Sequence, residues 1–361
     1  MHMAGISKKR NKGKRKRLNR RVLLAVFAII VIFGSVKLYR LYDKIYGSNV
    51  NLGKKESADL YIPSGAQMQD VIQRIRQKQL VEDIDEFKWL AQKKNYPNHI
   101  HPGRYKVENH MSNNALINRL RSGQQEPVKL IFNNIRTKEQ LAGMVSDQIE
   151  ADSAALLSLM RDRDFLDQLD MTPQTAAAMF LPNTYEFWWD TSPAEFIKRM
   201  HREYQRFWTE KRKEKAQQMG MTPVEVTTLA SIVDEETIHD DEMPEIAGVY
   251  INRLERGMRL QADPTIKFAI NDFTIKRVLK KHLEIDSPYN TYKNAGLPPG
   301  PISIPSIAAI ESVLNYTHHH YLYFVAKPDF SGYHNFSRSH RQHINNARKY
   351  QRALNRNNIM K

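Results

Sequence analysis

The chain has 361 residues, of which 41% are hydrophobic and 26% are charged, and it contains no cysteine. This length and composition are typical of a globular protein with two or three domains. The absence of cysteine excludes thiol nucleophiles and cysteine-ligated zinc. The formal net charge is +16, but residues 1–21 hold ten Lys or Arg and no acid, so much of the excess lies in one tail.

An uncharged stretch of fifteen residues, VLLAVFAIIVIFGSV at 22–36, follows this tail. Its apolar character continues to residue 42 if Lys37 and Arg40 extend to the interface, which gives the roughly 20 residues that a membrane span needs. No A-x-A-like cleavage site follows, so we predict an uncleaved transmembrane helix over 22–42. The basic flank indicates that residues 1–21 are cytoplasmic and the rest is extracytoplasmic. The adjacent span also argues against a nucleic-acid-binding arm.

Residues 43–55 are polar, contain two glycines and are interpreted as a linker. The next seventy residues show strand and helix patterns in the order strand, helix, helix, strand, helix. We predict a small α/β module at 56–126, which is too small to hold a deep catalytic pocket.

The larger region, 127–350, opens with a strand pattern at 127–135 and continues with helical patterns around 137–149 and 152–168. An aromatic segment, FLPNTYEFWW, is interrupted by Pro182 and Asn183. A long charged helix is predicted over 193–219, and YLYFVAK at 321–327 has a strand pattern. A basic helix near the end precedes a short tail, 351–361. The predicted fold class is α+β.

The segment MTPVEVTTLASIVDEET has a clear helix start, with Thr222 as N-cap, Pro223 at the first helical position and Glu225 completing a capping box. Apolar residues then recur at helical spacing, and the next position on the same face is Glu236. This face comprises Val226, Leu229, Val233 and Glu236.

A carboxyl group on an apolar helix face is desolvated, and desolvation raises its pKa. The negative end of the helix dipole acts in the same direction. Such an acid suits protonation of a glycosidic oxygen. The alternative is that Glu236 is a solvated helix-end charge. Its neighbours Asp234 and Glu235 lie about 200° and 100° around the helix, where they can point into water.

Several segments occur in one order: ASIVDEET, AGVYINRLERGMRLQADPT, SPYNTYKNAGLPPGPI, and YLYFVA followed by HNFS. Together they resemble the endolytic murein transglycosylases of the YceG-like family. The resemblance implies a membrane-anchored lyase that cuts peptidoglycan strands internally, with a LysM-like module at 56–126, a catalytic domain at 127–350 and no cofactor. It also implies work on nascent glycan beside membrane-bound peptidoglycan synthases.

The family's catalytic acid falls on Glu236. The sequence departs from the family pattern at Asp234, where a glutamate is usual, and at Ile304 and Ser306, which replace an Asn-Pro-Gly sequence around Pro305. Ile344 likewise stands where an Asn is usual. The resemblance implies that Glu236 acts alone as acid and base, so that the muramoyl C6 hydroxyl attacks its own C1 and leaves a 1,6-anhydro end.

Further residues are predicted to bind the sugar substrate, because they are polar groups on Pro-flanked loops or match family positions. These residues are Gln261, Asp263, Tyr289, Asn290, Asn252, His334 and His343. The alternative for each is a structural role. The histidines of THHH at 317–320 alternate faces before a strand, so no metal site is predicted.

Two other functions remain open from the sequence. The first is a hydrolytic muramidase or glucosaminidase on the same scaffold, with Asp263 as a second carboxylate. The second is a non-catalytic protein of cell division that binds peptidoglycan.

Overall fold

The computed structural model describes residues 11–133 and 135–356, with side chains from residue 20 onward. Parts of the predicted tails, 1–21 and 351–361, and one position of the predicted strand 127–135 therefore lie outside the described residues. The chain divides into two compact units after Pro127. With its helices and three small antiparallel sheets, it has the predicted α+β character.

The first helix, α1, covers Asn11–Tyr46, and its part Arg20–Tyr46 is long and apolar enough to cross a membrane. Its large apolar side chains are uncovered, as Leu23 and Phe33 show with exposed fractions of 69% and 64%. Apolar surface of this extent is rarely left in contact with water. The helix therefore has the length and surface of a membrane span.

The residues after α1 do not form a free linker, contrary to the interpretation of 43–55. Ser48 forms an isolated β-bridge with Ser112, and Val50 forms one with Val81. Val50 is 1% exposed, and the Asn49 side chain donates to Asn113 at 2.7 Å. This stretch is therefore packed into the first unit, because its side chains supply part of that unit's core and polar contacts.

The first unit confirms the predicted order of strands and helices. Its elements are β1 Ser57–Ile62, α2 Met68–Gln77, α3 Ile84–Lys93, a 3-10 turn Tyr96–Asn98, β2 Gly103–Glu108 and α4 Asn113–Arg121. β1 pairs antiparallel with β2, with Leu60 opposite Tyr105. Both side chains are fully buried, as are Val71 and Ile75 of α2. The module therefore has its own core.

The second unit begins with a two-stranded sheet and a set of short helices. These elements are β3 Val128–Phe132, α5 Lys138–Ser146, α6 Ser153–Leu159, α7 Arg163–Asp167, a 3-10 turn Ala176–Met179 and β4 Asn183–Phe187. Asn183, expected to interrupt its segment, instead opens β4, which pairs antiparallel with β3. The long helix predicted over 193–219 is two helices, α8 Pro193–Phe207 and α9 Glu210–Gln218, which separate at Trp208 and Thr209.

The rest of the second unit surrounds a central helix. Its elements are α10 Pro223–Glu236, α11 Met243–Glu255, α12 Asp263–Ile270, a 3-10 turn Lys280–Glu284, α13 Ile307–Leu314, β5 Tyr323–Ala326, β6 His334–Ser337 and α14 His340–Arg356. β5 confirms the strand pattern at 321–327, and it pairs with β6, which the sequence did not predict. α10 packs against α11, α12 and α13. α14 continues into the residues predicted as a tail.

Candidate active site

The start of α10 is as predicted: Thr222 caps the helix and exchanges hydrogen bonds with Glu225. The expected single apolar face is wrong, because every residue from 226 to 233 is buried. Neighbouring helices cover α10 on several sides. The helix reaches solvent where the apolar run ends, and its last residue is Glu236.

This end of α10 opens into a cleft of about 970 Å³. Its walls come from the segment before α5, the end of α10, the segment after it, and the residues around Ser306 and His334. The lining residues include Ile135, Arg136, Gln140, Asp234, Glu235, Glu236, Thr237, Ile238, Asp240, Met243, Ser303, Ile304, Ser306, Gly332 and His334. The cleft is therefore open, polar and rich in acids.

The carboxyl group of Glu236 is partly buried and accepts a hydrogen bond of 2.7 Å from the Tyr250 hydroxyl. Burial raises the pKa of Glu236 from 4.5 to about 7. The Tyr250 hydrogen bond opposes this rise, and the negative charge of Asp263 adds to it. Glu236 can therefore carry a proton near neutral pH and release it during a reaction.

Asp234 and Glu235 are not free in water, which corrects the expectation from the helical wheel. Asp234 accepts hydrogen bonds from the Ser306 hydroxyl at 2.7 Å and from its backbone N–H at 3.2 Å. Glu235 pairs with the Arg136 guanidinium at 3.2 Å. Asp234 and Ser306, two of the departures from the family pattern, thus contact each other. Asp234 thus accepts two hydrogen bonds and Glu235 forms an ion pair, whereas Glu236 accepts its hydrogen bond from the Tyr250 hydroxyl.

His334 is the predicted substrate-binding residue that lines this cleft in the described part of the chain. Its backbone N–H donates to Glu242 at 2.6 Å, and its Nδ1 lies 2.8 Å from the same carboxylate. Glu242 is 4% exposed and also accepts from Thr237. The carboxylate of Glu242 therefore holds the His334 ring in place at the cleft wall.

Asp263 lies close enough to Glu236 to influence its pKa, and its Oδ1 accepts from the Tyr292 hydroxyl at 2.5 Å. Gln261, two residues earlier, is exposed and has a φ of 49°. This left-handed conformation is uncommon for a residue with a side chain and often occurs near functional sites. Tyr289 lies against Phe268 beside a second, smaller cavity.

Two of the other predicted residues, Asn252 and Asn290, make contacts that brace the backbone. Asn252 donates to the carbonyls of His319 and Tyr321, both at 2.9 Å. Asn290 is fully buried and donates to two carbonyls of the preceding loop. His343 stacks on Tyr323, and burial lowers the pKa of its imidazole. Their roles toward substrate stay predictions.

Tyr250 and Arg136 are site residues that the sequence reasoning missed. Tyr250 lies on α11, inside the segment AGVYINRLERGMRLQADPT, and reaches Glu236 across 14 positions of sequence. Arg136 reaches Glu235 across 99 positions of sequence. No local sequence pattern predicts a contact between residues so far apart in the chain.

Glu236, an acid with a raised pKa in an open polar cleft, is therefore the candidate acid–base residue of the chain. Residues 60–349 match the model of the YceG-like family, and the chain belongs to that family.

Relatives with known names agree with this membership. A Bacillus subtilis (strain 168) protein named endolytic murein transglycosylase is 28% identical over 326 residues, which are 86% of this chain and 89% of the relative. A Streptococcus pneumoniae (strain D39) protein of the same name is 30% identical over 313 residues, or 77% of this chain and 55% of the relative. A crystal structure of a YceG-like protein from Listeria monocytogenes gives a TM-score of 0.54 at 28% identity, covering 81% of this chain and 99% of that one.

Proposed function

We propose that the protein is an endolytic lytic transglycosylase that cleaves peptidoglycan strands between N-acetylmuramic acid and N-acetylglucosamine. The observation that carries this proposal is Glu236, an acid with a pKa of about 7 at the wall of an open cleft. The name shared by the Bacillus and Streptococcus relatives supports the choice of substrate.

The reaction needs a proton donor that then becomes a base. Glu236 gives its proton to the glycosidic oxygen, and the bond from that oxygen to the muramoyl C1 breaks. The resulting carboxylate takes the proton of the muramoyl C6 hydroxyl while this oxygen bonds to C1. The strand is cut into two ends, no water is consumed, and intramolecular attack gains its rate from proximity.

A single acid suits this reaction better than hydrolysis. A typical glycosidase needs a second carboxylate to attack the sugar or to activate water. Asp234 and Glu235 are already held by Ser306 and Arg136. Asp263, the predicted second carboxylate of the hydrolytic alternative, is engaged by the Tyr292 hydroxyl. The ion pair of Glu235 with Arg136 and the two hydrogen bonds to Asp234 therefore support the lyase over the hydrolase.

The product distinguishes the two reactions. Digestion of purified sacculi should release fragments that end in 1,6-anhydro-N-acetylmuramic acid, which are lighter by one water than hydrolysed ends in mass spectrometry. The control is the same digestion in water labelled with heavy oxygen. Reducing ends that carry the label would identify a hydrolase, and intact sacculi would favour the non-catalytic alternative.

We also propose that α1 is a single-pass anchor with the basic tail in the cytoplasm and the catalytic unit outside, at the inner membrane where nascent strands are made. A reporter fused after Leu60 should be active only outside the cytoplasm, because basic flanks stay inside. The protein should remain in the membrane after alkaline washing. Recovery of a shortened, soluble mature chain would show instead that the apolar segment is a cleaved signal.

The first unit is proposed to be a LysM-like module that binds glycan rather than catalysing. The order of its elements and its separate core support this assignment. Deletion of residues 48–126 should lower activity on intact sacculi more than on short soluble glycans, because only the former need a second point of binding. Equal losses on both substrates would mean that the module is part of the catalytic fold.

A further inference from the structure

A second cavity of about 280 Å³ adjoins the active-site cleft. Arg136 and Ile304 belong to the walls of both cavities. The smaller cavity is also lined by the start of α5, the segment around Pro173, the end of α12 and the loop around Tyr289. The two spaces therefore adjoin each other at Arg136 and Ile304.

The two spaces differ in charge. The catalytic cleft presents the acids Asp234, Glu235 and Asp240 beside Glu236. The second cavity instead presents Lys138, while Arg136, which it shares with the cleft, is paired with Glu235. Glu139, the acid among the described residues of its wall, is paired with Arg161 at 2.5 Å. An anionic group on the substrate is therefore repelled by the cleft and attracted by the second cavity.

Lys138 has N–H groups that can donate hydrogen bonds to an anionic group of the substrate. Its ammonium donates one hydrogen bond, of 2.8 Å, to the Pro173 carbonyl. An ammonium carries three N–H donors. Burial lowers the pKa of Lys138, so that an anionic partner there would stabilise its charged form. Charge-assisted hydrogen bonds at partly buried positions are among the stronger polar contacts in proteins.

An aromatic wall faces the same cavity. The rings of Tyr289 and Phe268 lie with their centroids 4.7 Å apart, and Tyr289 is only partly buried. Such a surface suits the apolar face of a sugar ring or an alkyl side chain. The cavity thus combines a cation with an aromatic platform, as expected for a site that binds a sugar bearing a carboxylate.

We propose that this cavity is a subsite for a carboxylate of a muramoyl unit adjacent to the scissile bond, with Lys138 as its cationic partner and Tyr289 as its aromatic wall. The assignment rests on the proposed function and specifies which part of the strand the enzyme recognises. The carboxylate has two sources, the stem peptide and the lactyl group that amidase treatment uncovers. Lys138 is a specificity residue in this arrangement and takes no part in proton transfer.

The test measures binding in the inactive Glu236→Gln protein, so that no ligand is consumed. Three ligands of equal length are compared by calorimetry: glycan strands with stem peptides, strands stripped by an amidase, and neutral chitooligosaccharides. Adding Lys138→Gln should weaken binding of the carboxylate-bearing ligand about tenfold, the expected value of one charged hydrogen bond. Binding of chitooligosaccharides should be unchanged.

The ligands that lose affinity in the Lys138→Gln protein identify which carboxylate the cavity binds. A loss confined to strands with stem peptides assigns the site to the peptide carboxylate, and a loss confined to stripped strands assigns it to the lactyl group. A loss on both shows that either carboxylate is accepted. Lys138→Arg should restore binding, and Lys129→Gln, an exposed lysine of the same unit, should have no effect.

Two results would overturn the subsite. Equal losses on all three ligands would mean that Lys138 acts only through the fold, and unchanged binding of all three would mean that it meets no ligand. Failure of the proposed function is a separate outcome: the parent Glu236→Gln protein would bind no strands, and the wild type would release no anhydro ends.

Discussion

Glu236→Gln is expected to reduce strand cleavage by at least about a hundredfold. The substitution keeps the shape of the side chain. It also keeps an oxygen that can accept the hydrogen bond from Tyr250, which is 2.7 Å long in the wild type. It removes the titrating proton, so the leaving oxygen is not protonated and no base is formed for the C6 hydroxyl. The measurement is the rate at which anhydro-ended fragments appear from purified sacculi.

The neighbouring acids provide matched controls. Asp234→Asn and Glu235→Gln alter the same end of α10 and the same cleft, yet each should cost less than about tenfold, because these carboxylates contact Ser306 and Arg136 and supply no proton. Normal cleavage by Glu236→Gln together with inactive Asp234→Asn would show that the catalytic acid has been assigned to the wrong residue.

Local signals predicted the elements whose causes are local. The capping box of Thr222 and Glu225 placed the start of α10, and alternating patterns gave the strands and helices of the first unit. β4 was missed since Pro182 and Asn183 indicate a break, while its pairing with β3 depends on residues about fifty positions earlier. Such pairing compensates for a weak local preference.

The candidate site was predictable only in part. Helical spacing singled out Glu236, although α10 is buried all round and not on one face. What makes Glu236 distinctive is tertiary: burial at the helix end, the Tyr250 hydroxyl from α11, and the charge of Asp263. The partners of Asp234 and Glu235 come from 72 and 99 positions away, and no periodicity in the sequence reports them.

The raised pKa of Glu236 has a consequence for stability. The folded pKa is about 7 and the ordinary value is 4.5. Well below pH 4.5 the carboxyl group of Glu236 is protonated in both states and makes no pH-dependent contribution to stability. Between these two values the unfolded chain releases the proton first, so the free energy of unfolding falls as pH rises. The loss is complete above about pH 7 and amounts to about 3 kcal/mol.

Glu236→Gln removes this titration, so the variant and the wild type should be about equally stable near pH 4, and the variant should be more stable by about 3 kcal/mol near pH 8. Denaturant unfolding of the full chain in detergent at a series of pH values measures this difference in stability, to which the titrating groups common to both proteins contribute equally.

Tyr250→Phe provides a second test. The Tyr250 hydrogen bond lowers the pKa of Glu236. Its loss should therefore move both the stability transition and the alkaline limit of cleavage to higher pH. A constant difference between wild type and Glu236→Gln across the pH range would mean that Glu236 titrates like a solvated carboxylate, and the acid–base assignment would then lose its physical basis.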